Sequence, residues 1–341
     1  MRKLALDRLD TLFAAIAAEH TLYLPVDGKA GAKFEKWEDG KVLSDALNTV
    51  RSPKDFFFPQ TESLMDFKTE GKKIEIIDTR EECEDFVIFG VRACDVRSFE
   101  VLDRVFLAEP ADSYYENRRK HGILVSLACN KPLETCFCGT FGIDAAAPEG
   151  DIVCHKTADA LYLDAETEKG EALLKALEAV TEDADAAPVE EQKAVIRERL
   201  AKLPLADLSA DAFGAGKTDV FFDAPEWAEL SESCLGCGTC TFVCPTCQCY
   251  DIKDFNTGHG VKRFRCWDSC MYSDFTKMSA GQPRLTQKER FRQRFMHKLV
   301  YYPTNNDGLF SCVGCGRCVA KCPIHMNIVK VMKKLGGRAN G

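Results

Sequence analysis

One cysteine pattern, C-x2-C-x2-C-x3-C followed by proline, occurs twice in the last third of this chain and limits how that part can fold. Two-residue gaps let a single turn of backbone present consecutive thiolates, and the proline after the fourth cysteine redirects the chain. Glycines between the first three cysteines, such as Gly236 and Gly238, keep the turn free of side chains. The repeat therefore predicts two turns that hold a metal group. Its eight cysteines are Cys234, Cys237, Cys240, Cys244, Cys312, Cys315, Cys318 and Cys322.

The same spacing is typical of bacterial ferredoxins, in which three cysteines of a run bind one [4Fe–4S] cluster and the fourth binds the other cluster. We therefore expect two clusters with exchanged fourth ligands. The ligands of the first are Cys234, Cys237, Cys240 and Cys322. The ligands of the second are Cys312, Cys315, Cys318 and Cys244. The alternative is a zinc-stabilised interaction protein, but structural zinc sites usually take four ligands in two pairs.

The length of 341 residues allows two domains, and the formal net charge of −8 argues against a nucleic-acid-binding surface. Eighteen cysteines would suggest disulfides in a small secreted chain. This chain is long, and its first ten residues lead into an amphipathic helix rather than an apolar signal segment. No apolar run approaches the roughly 18 residues of a membrane span. We expect a cytoplasmic protein whose clustered thiols are metal ligands.

The order of the predicted elements indicates an α+β chain, with an N-terminal α/β domain over residues 1–222 and an α-helical two-cluster ferredoxin domain over residues 223–341. Apolar spacing predicts helices over Leu4–His20, Asp95–Leu107, Glu168–Val180, Pro188–Leu203, Thr286–Tyr302 and Ile328–Leu335. Short runs predict strands over Thr21–Val26 and Lys33–Trp37, and a hairpin over Ile152–Lys156 and Ala160–Ala165. Buried strands of a sheet are predicted over Lys73–Ile77, Phe86–Val91 and Ile123–Leu127.

Four more cysteines are predicted to meet in the N-terminal domain. Cys94 lies at the start of a predicted helix, whose N-terminus stabilises a thiolate. Cys129 follows the neighbouring predicted strand, and Cys136 and Cys138 come one short loop later. Strand ends on one edge of a parallel sheet can bring such residues together, so this set predicts a third [4Fe–4S] cluster. The alternative is that these are buried core cysteines.

A third group consists of Cys247, Cys249, Cys266 and Cys270. The spacing of Cys266 and Cys270 is one helical turn, which would put both on one helix face. These four form a candidate fourth cluster, or they pack around the two ferredoxin clusters. Cys83 and Cys154 have no partners in the sequence, and we expect them to serve packing.

The predicted helix near residue 290 is strongly basic. Three interpretations stay open: a solvated face, a docking surface, or positive charge that balances clusters whose thiolates make them negative. Its basic residues are Arg284, Lys288, Arg290, Arg292, Arg294 and Lys298.

Several motifs together resemble one family of iron–sulfur proteins. They are Arg92-Ala-Cys-Asp95, the Cys129 to Cys138 segment ending in Cys-Phe-Cys, Cys-Pro-Thr-Cys-Gln-Cys249, Trp267-Asp-Ser-Cys270 and Cys-Val-Gly-Cys-Gly-Arg-Cys318. The chain is similar over most of residues 73–323 to the iron–sulfur subunit of anaerobic sulfite reductase, and equally to the beta subunit of cytoplasmic sulfhydrogenases. Cys266 lies outside these motifs.

The resemblance implies a subunit that passes electrons between a flavin subunit handling NAD(P)H and a terminal reductase or hydrogenase subunit with siroheme or nickel–iron. Related subunits are the electron input of heterodisulfide-reductase-like complexes. The sequence has no siroheme, nickel or flavin motif and no recognisable catalytic triad or paired carboxylate, so we expect an electron carrier without an independent active site. The alternative is an enzyme in its own right, with a substrate-accessible cluster in the Cys94 or the Cys247 group.

Overall fold

The computed structural model describes residues 1–46, 48–78, 80 and 83–337. Its strands are β1 (Arg2–Ala5), β2 (Thr21–Val26), β3 (Lys33–Lys36), β4 (Thr61–Glu70), β5 (Lys73–Asp78), β6 (Phe86–Val91), β7 (Gly122–Leu127), β8 (Ile152–Lys156), β9 (Ala160–Ala165), β10 (Glu182–Asp183), β11 (Tyr250–Asn256) and β12 (Gly260–Trp267). Within the described ranges they form a large sheet of order β10-β1-β9-β8-β7-β6-β2-β3 and a small sheet of order β11-β12-β4-β5.

Helices cover the large sheet and make up most of the C-terminal part. They are α1 (Leu9–Ala17), α2 (Lys54–Phe57), α3 (Ala93–Phe106), α4 (Ser113–His121), α5 (Glu168–Ala176), α6 (Ala187–Ala201), α7 (Thr218–Phe221), α8 (Glu226–Glu232), α9 (Thr239–Phe242), α10 (Gln287–Met296), α11 (Tyr302–Asn305), α12 (Arg317–Lys321) and α13 (Ile328–Gly336). A π-helical turn, His297–Tyr301, connects α10 to α11. In the described part of the chain, no helix combines the length and apolar character needed to cross a membrane.

The centre of the large sheet is parallel and brings two cysteine-bearing segments side by side. β2, β6, β7 and β8 are parallel neighbours, and β6 and β7 are buried at every residue. Their Val- and Ile-rich sequences fit strands covered on both faces. Cys94 lies in α3 directly after β6, and Cys129 follows β7, where its N–H donates to Ala145 O at 2.9 Å. The predicted α/β layer is confirmed.

The small sheet joins segments from the two sides of position 222. β4 and β5 precede this position, whereas the hairpin β11–β12 belongs to the stretch between the two ferredoxin runs. The prediction of an α-helical ferredoxin domain does not include this hairpin. The boundary at 222 stays a prediction, and residues 338–341 of the predicted domain lie outside the described ranges.

Two predicted elements are wrong in detail. The helix predicted over Leu4–His20 begins only at Leu9, because Arg2–Ala5 pairs with β9 and β10 at the edge of the large sheet. Lys73–Ile77 is not buried: β5 is an edge strand of the small sheet, and Ile74 and Ile76 are exposed. Its alternation of Ile with charged residues is typical of an antiparallel strand with one solvated face, not of a parallel strand buried on both faces.

A separate apolar core holds the C-terminal helices together. Trp227 of α8, Phe291 and Phe295 of α10 and Leu335 of α13 are buried in it. α10 begins with a capping box, in which the Thr286 hydroxyl accepts from the Glu289 N–H and the Glu289 carboxylate accepts from the Thr286 N–H. The helices predicted over Thr286–Tyr302 and Ile328–Leu335 are thereby confirmed.

Candidate iron–sulfur sites

The two ferredoxin runs share one local backbone conformation. Gly238 (φ 72°) stands before α9, and Gly316 (φ 75°) stands before α12. Glycine adopts such positive φ values at no steric cost, whereas most other residues do not. In both runs the short helix that follows carries the third cysteine, Cys240 or Cys318. The sequence repeat is therefore also a structural repeat.

Cys244, the fourth cysteine of the first run, lies close enough to the thiols of the second run to act on their pKa, as it also does on the pKa of Cys240. Burial raises the pKa of Cys312 and Cys315, and the charge of Cys244 raises it further. The charge of Cys244 also raises the pKa of Cys318. This position fits the expected exchange of ligands for the second cluster. The pairing of Cys322 with the first run stays a prediction.

Arg294 of α10 is a buried cation with unsatisfied donors beside these thiols. The residue is 2% exposed, and its Nη2 donates to Cys240 O at 2.9 Å. Its Nε and Nη1 have no hydrogen-bond partner among the described residues. Burial alone would lower the pKa of Arg294. The negative charges of Cys240 and Cys318 outweigh burial and raise this pKa, so Arg294 is a cation. Because a buried charge needs compensation, this arrangement fits a bound anionic group such as a thiolate-ligated [4Fe–4S] cluster.

Lys54 of α2 supplies a second buried cation. Its Nζ donates to Cys244 O at 3.1 Å and to Cys247 O at 2.9 Å. The same Nζ lies 3.6 Å from the centroid of the Trp267 ring, a cation–π contact. One ammonium group thus fixes the backbone that carries two cysteines.

The basic helix divides between the interior and the surface. Lys298 is buried, and its Nζ donates to Thr246 Oγ1 at 2.8 Å and to Ser311 O at 3.2 Å, next to Cys312. Arg294 and Lys298 therefore fit the charge-balancing interpretation. The remaining basic residues, Arg284, Lys288, Arg290 and Arg292, are partly or fully exposed.

The four cysteines of the predicted third site line one enclosed cavity. They are Cys94, Cys129, Cys136 and Cys138, and Cys315 of the second ferredoxin run lines the same cavity. Asn48 spans the two sets: its Nδ2 donates to Cys315 O at 2.7 Å and lies 3.5 Å from Cys136 Sγ. The structure therefore brings together all four residues that the strand-end argument grouped.

The loop of the second ferredoxin run and the loop around Cys136 are in backbone contact. The Phe137 N–H donates to Gly314 O at 2.8 Å. A Cβ placed on Gly314 would lie 2.3 Å from Phe137 O, and one placed on Gly316 would lie 2.5 Å from Thr135 O. Only glycine fits at these two positions, so the sequence itself sets the close approach of the two cysteine sets.

Burial keeps the thiols of this cavity protonated when no metal is present. It raises the pKa of Cys136 and Cys138 to about 12, and the neighbouring cysteines add to the effect. Thiolates are therefore stable here only beside positive charge, and binding to iron would supply that charge and release the protons. Within the described ranges, no three His, Cys, Asp or Glu side chains converge closely enough to hold a single metal ion.

Comparison with known proteins agrees with this geometry. Residues 233–326 match the family model described as a 4Fe-4S dicluster domain. The chain is 33% identical over 317 residues to sulfhydrogenase 2 subunit beta of Pyrococcus furiosus, and the alignment covers 92% of each chain. The chain belongs to the sulfhydrogenase beta-subunit family. No solved structure matches it.

Membership in the sulfhydrogenase beta-subunit family confirms the resemblance inferred from the motifs, and the dicluster match supports two [4Fe–4S] clusters in the C-terminal part. The match begins at Ser233 and ends at Met326, so it includes both ferredoxin runs. It does not include Cys94, Cys129, Cys136 and Cys138. A third cluster in this family member therefore depends on the cavity geometry alone.

The third cysteine group is only partly assembled in this family member. A side-chain hydrogen bond from Cys270 lowers the pKa of Cys249 to about 7, and Cys247 is hydrogen-bonded to Cys244. Cys266 lies in β12, and its charged neighbours are Lys253, Asp251 and Asp268. The prediction that Cys266 and Cys270 share a helix face is wrong, because β12 extends to Trp267.

Cys154 is fully buried in the core of the large sheet, as expected for a packing residue. The site also contains residues that the sequence interpretation missed. They are Asn48 and Lys54, and also Arg317, whose guanidinium donates to the carboxylate of Asp95, next to Cys94. Arg317 had a usable signal, because it lies inside the second ferredoxin run. Asn48 and Lys54 are far from every cysteine motif, and only the fold brings them to the thiols.

Proposed function

We propose that the protein is an iron–sulfur electron-transfer subunit of a cytoplasmic multi-subunit oxidoreductase. It relays electrons between two partners: one binds flavin and NAD(P)H, and the other is a terminal subunit of the hydrogenase type. Kinship with a sulfhydrogenase beta subunit favours a nickel–iron partner over a siroheme or heterodisulfide-reductase partner. The observation that carries the proposal is the backbone contact between Gly314 and Phe137, which puts two cysteine sets next to each other inside the protein.

Three sets of thiols would hold the clusters. The first two are the exchanged ferredoxin sets, Cys234, Cys237, Cys240 and Cys322, and Cys312, Cys315, Cys318 and Cys244. The third set is Cys94, Cys129, Cys136 and Cys138. Each [4Fe–4S] cluster, when bound, exchanges single electrons without acid–base chemistry.

The chain's own residues define the environment of those sets. Burial of the Cys94 and Cys312 groups excludes water, which lowers the local dielectric constant. Buried cations such as Arg294 and Lys54 stabilise added negative charge and therefore favour the reduced state. The backbone contacts of Gly314 keep the two inner sets at a fixed separation.

The three sets have different access to solvent. Cys94, Cys136 and Cys138 are buried, Cys312 and Cys315 are buried, and Cys237 of the first run is exposed. This order supports a path from the N-terminal cavity through the second run to the first run and the surface. A carrier needs such a surface terminus, because electron transfer slows steeply with distance.

Anaerobic purification of the native complex tests this function. We expect a brown protein whose visible absorbance bleaches with dithionite, together with a flavoprotein and a nickel protein. A siroheme protein in place of the nickel protein would indicate that sulfite is the terminal electron acceptor of the complex. A colourless, iron-free chain that is folded and still joins its usual assembly would end it.

One observation favours a second candidate, an enzyme with a substrate-accessible cluster. Cys247 is hydrogen-bonded to Cys244 and Cys249 to Cys270, whereas no cysteine is among the groups that shift the pKa of Cys266 in β12. A cluster on these thiols would lack a complete set of protein ligands, so one iron would be open. Reduction of sulfite or a disulfide by the isolated chain with an artificial donor would support this candidate. Absence of turnover would favour the electron-carrier function instead.

A further inference from the structure

The most accessible cysteine of the chain lies in a ferredoxin turn that carries exposed apolar side chains. Of the eighteen cysteines, all of which lie in the described ranges, only Cys237 is exposed. Leu235 is 66% exposed and Leu285 is 75% exposed. The Tyr272 hydroxyl donates to Cys237 O at 3.2 Å. Clustered exposed apolar side chains commonly mark sites of protein association.

Residues 272–287 are anchored to the first ferredoxin turn at both ends. A Cβ placed on Gly238 would lie 2.5 Å from the Tyr272 hydroxyl, which shows how closely that ring covers the turn. At the other end, Gln287 Nε2 lies 3.5 Å from Cys234 Sγ. Lys277 and Leu285 lie in the segment between these two anchors, and Lys288 directly follows the second. We call the area of Leu235, Cys237, Tyr272, Lys277, Leu285 and Lys288 the Cys237 surface.

This surface is basic on a chain that is acidic overall. Between residues 271 and 290 there are four basic residues, Lys277, Arg284, Lys288 and Arg290, and two acidic ones, Asp274 and Glu289. The Glu289 carboxylate is engaged in the capping box of α10. Lys277 and Lys288 are exposed, and in the described part of the chain their ammonium groups make no hydrogen bond or salt bridge. Both charges are thus available to a partner.

We propose that the Cys237 surface docks an electron-carrier protein that presents acidic side chains around its own redox centre. This inference rests on the proposed function, and it identifies the partner by charge and the place where one electron crosses between the two proteins. Opposite charges on the two faces steer the encounter and raise the association rate, and the apolar residues exclude water at the contact. The transfer is balanced: the carrier loses one electron, and the chain gains it.

The test measures both binding and electron transfer. The anaerobically purified full chain is mixed with a reduced, acidic two-cluster ferredoxin, and the second-order reduction rate is recorded at rising salt. Calorimetry gives the affinity in the absence of turnover. We expect Lys277→Glu with Lys288→Glu to lower the low-salt rate and the affinity at least tenfold. Lys175→Glu, an exposed charge reversal on α5 against the large sheet, should change neither.

Two further measurements separate the possible failures. Leu285→Ser should weaken binding without changing its salt dependence, because it removes apolar contact and no charge. A double charge-reversal variant that matches Lys175→Glu in rate, affinity and salt dependence would overturn the docking inference. Wild-type protein that dithionite cannot bleach would instead overturn the proposed function, since dithionite needs no docking surface.

Discussion

Arg317 and Asp95 form a bidentate ion pair that joins the second ferredoxin run to the N-terminal cavity. Nη1 and Nη2 of Arg317 donate to Oδ1 and Oδ2 of Asp95 at 2.6 and 2.7 Å. Both side chains are buried, at 2% and 1% exposure. Asp95 follows Cys94 directly, and Arg317 lies between Cys315 and Cys318. A single ion pair therefore sets the position of ligands from two predicted clusters.

Breaking the Arg317–Asp95 ion pair should lower the free energy of unfolding. Asp95→Asn leaves the Arg317 charge buried without its partner, and such losses destabilise proteins by about 3–5 kcal/mol. We expect a lower midpoint of anaerobic thermal unfolding and a lower iron content. The control is Arg197→Gln, which removes the exposed Arg197–Asp144 pair and should cost less than about 1 kcal/mol. Equal stability of the two variants would show that the buried pair does not hold the two parts together.

Enlarging the side chain at Gly314 should separate the second ferredoxin run from the Cys136 loop. In Gly314→Ala the new methyl group would lie 2.3 Å from Phe137 O, so the two cysteine loops must separate. Gly216→Ala is a matched control, because Gly216 has a similar positive φ of 73° and no atom within 4 Å of a Cβ. We expect iron loss and altered spectra of two clusters in Gly314→Ala, and full iron content in Gly216→Ala. Normal iron content in both would contradict a close contact of the loops.

The elements that the sequence predicted well are those whose pattern is local. The hairpin over Ile152–Lys156 and Ala160–Ala165 has the predicted bounds. The helix predicted from Thr286 begins one residue later, at Gln287, with Thr286 as its N-cap. The grouping of Cys94 with Cys129 was also accessible, since consecutive parallel strands end at one edge. In each case a few neighbouring residues carry the whole signal.

The features that the sequence did not predict depend on distant segments. β4 and β12 pair across almost 200 residues, and no turn signal connects them. Lys54 reaches Cys244 only because α2 packs beside the first ferredoxin run. Cys266 was misjudged because a four-residue spacing indicates a helix turn only inside a helix, and here a strand ends between the two cysteines.

The predicted cluster in the N-terminal cavity can be tested by counting iron atoms. Cys138→Ala should lower the iron content by about four atoms per chain, because one [4Fe–4S] cluster loses a ligand. Cys154→Ala is the control: Cys154 is fully buried, and burial alone raises its pKa, with no contribution from another thiol. Iron analysis of anaerobic samples measures both variants. An unchanged iron content in Cys138→Ala would contradict the third cluster and show that the cavity contains only buried thiols.

The exchange of ligands predicts a spectroscopic effect far from the mutated residue in sequence. Cys244→Ser should perturb the cluster held by Cys312, Cys315 and Cys318, because Cys244 lies close enough to those thiols to act on their pKa. EPR of the dithionite-reduced protein, compared with Cys237→Ser, separates the two clusters. The assignment is wrong if Cys244→Ser alters only the signal that Cys237→Ser also alters.

Lys54 should tune the potential of the same cluster. Its ammonium group contacts the backbone of Cys244, and Lys54→Met removes the charge while keeping much of the side-chain volume. A unit charge several ångströms away contributes about 2–3 kcal/mol at an effective dielectric constant of about 20. Loss of that charge should lower the midpoint potential by about 100 mV in an anaerobic redox titration. Arg51→Met, which removes a half-exposed cation stacked on the same Trp267 ring, should shift the potential much less. Equal shifts in the two variants would mean that Lys54 acts by packing and not by charge.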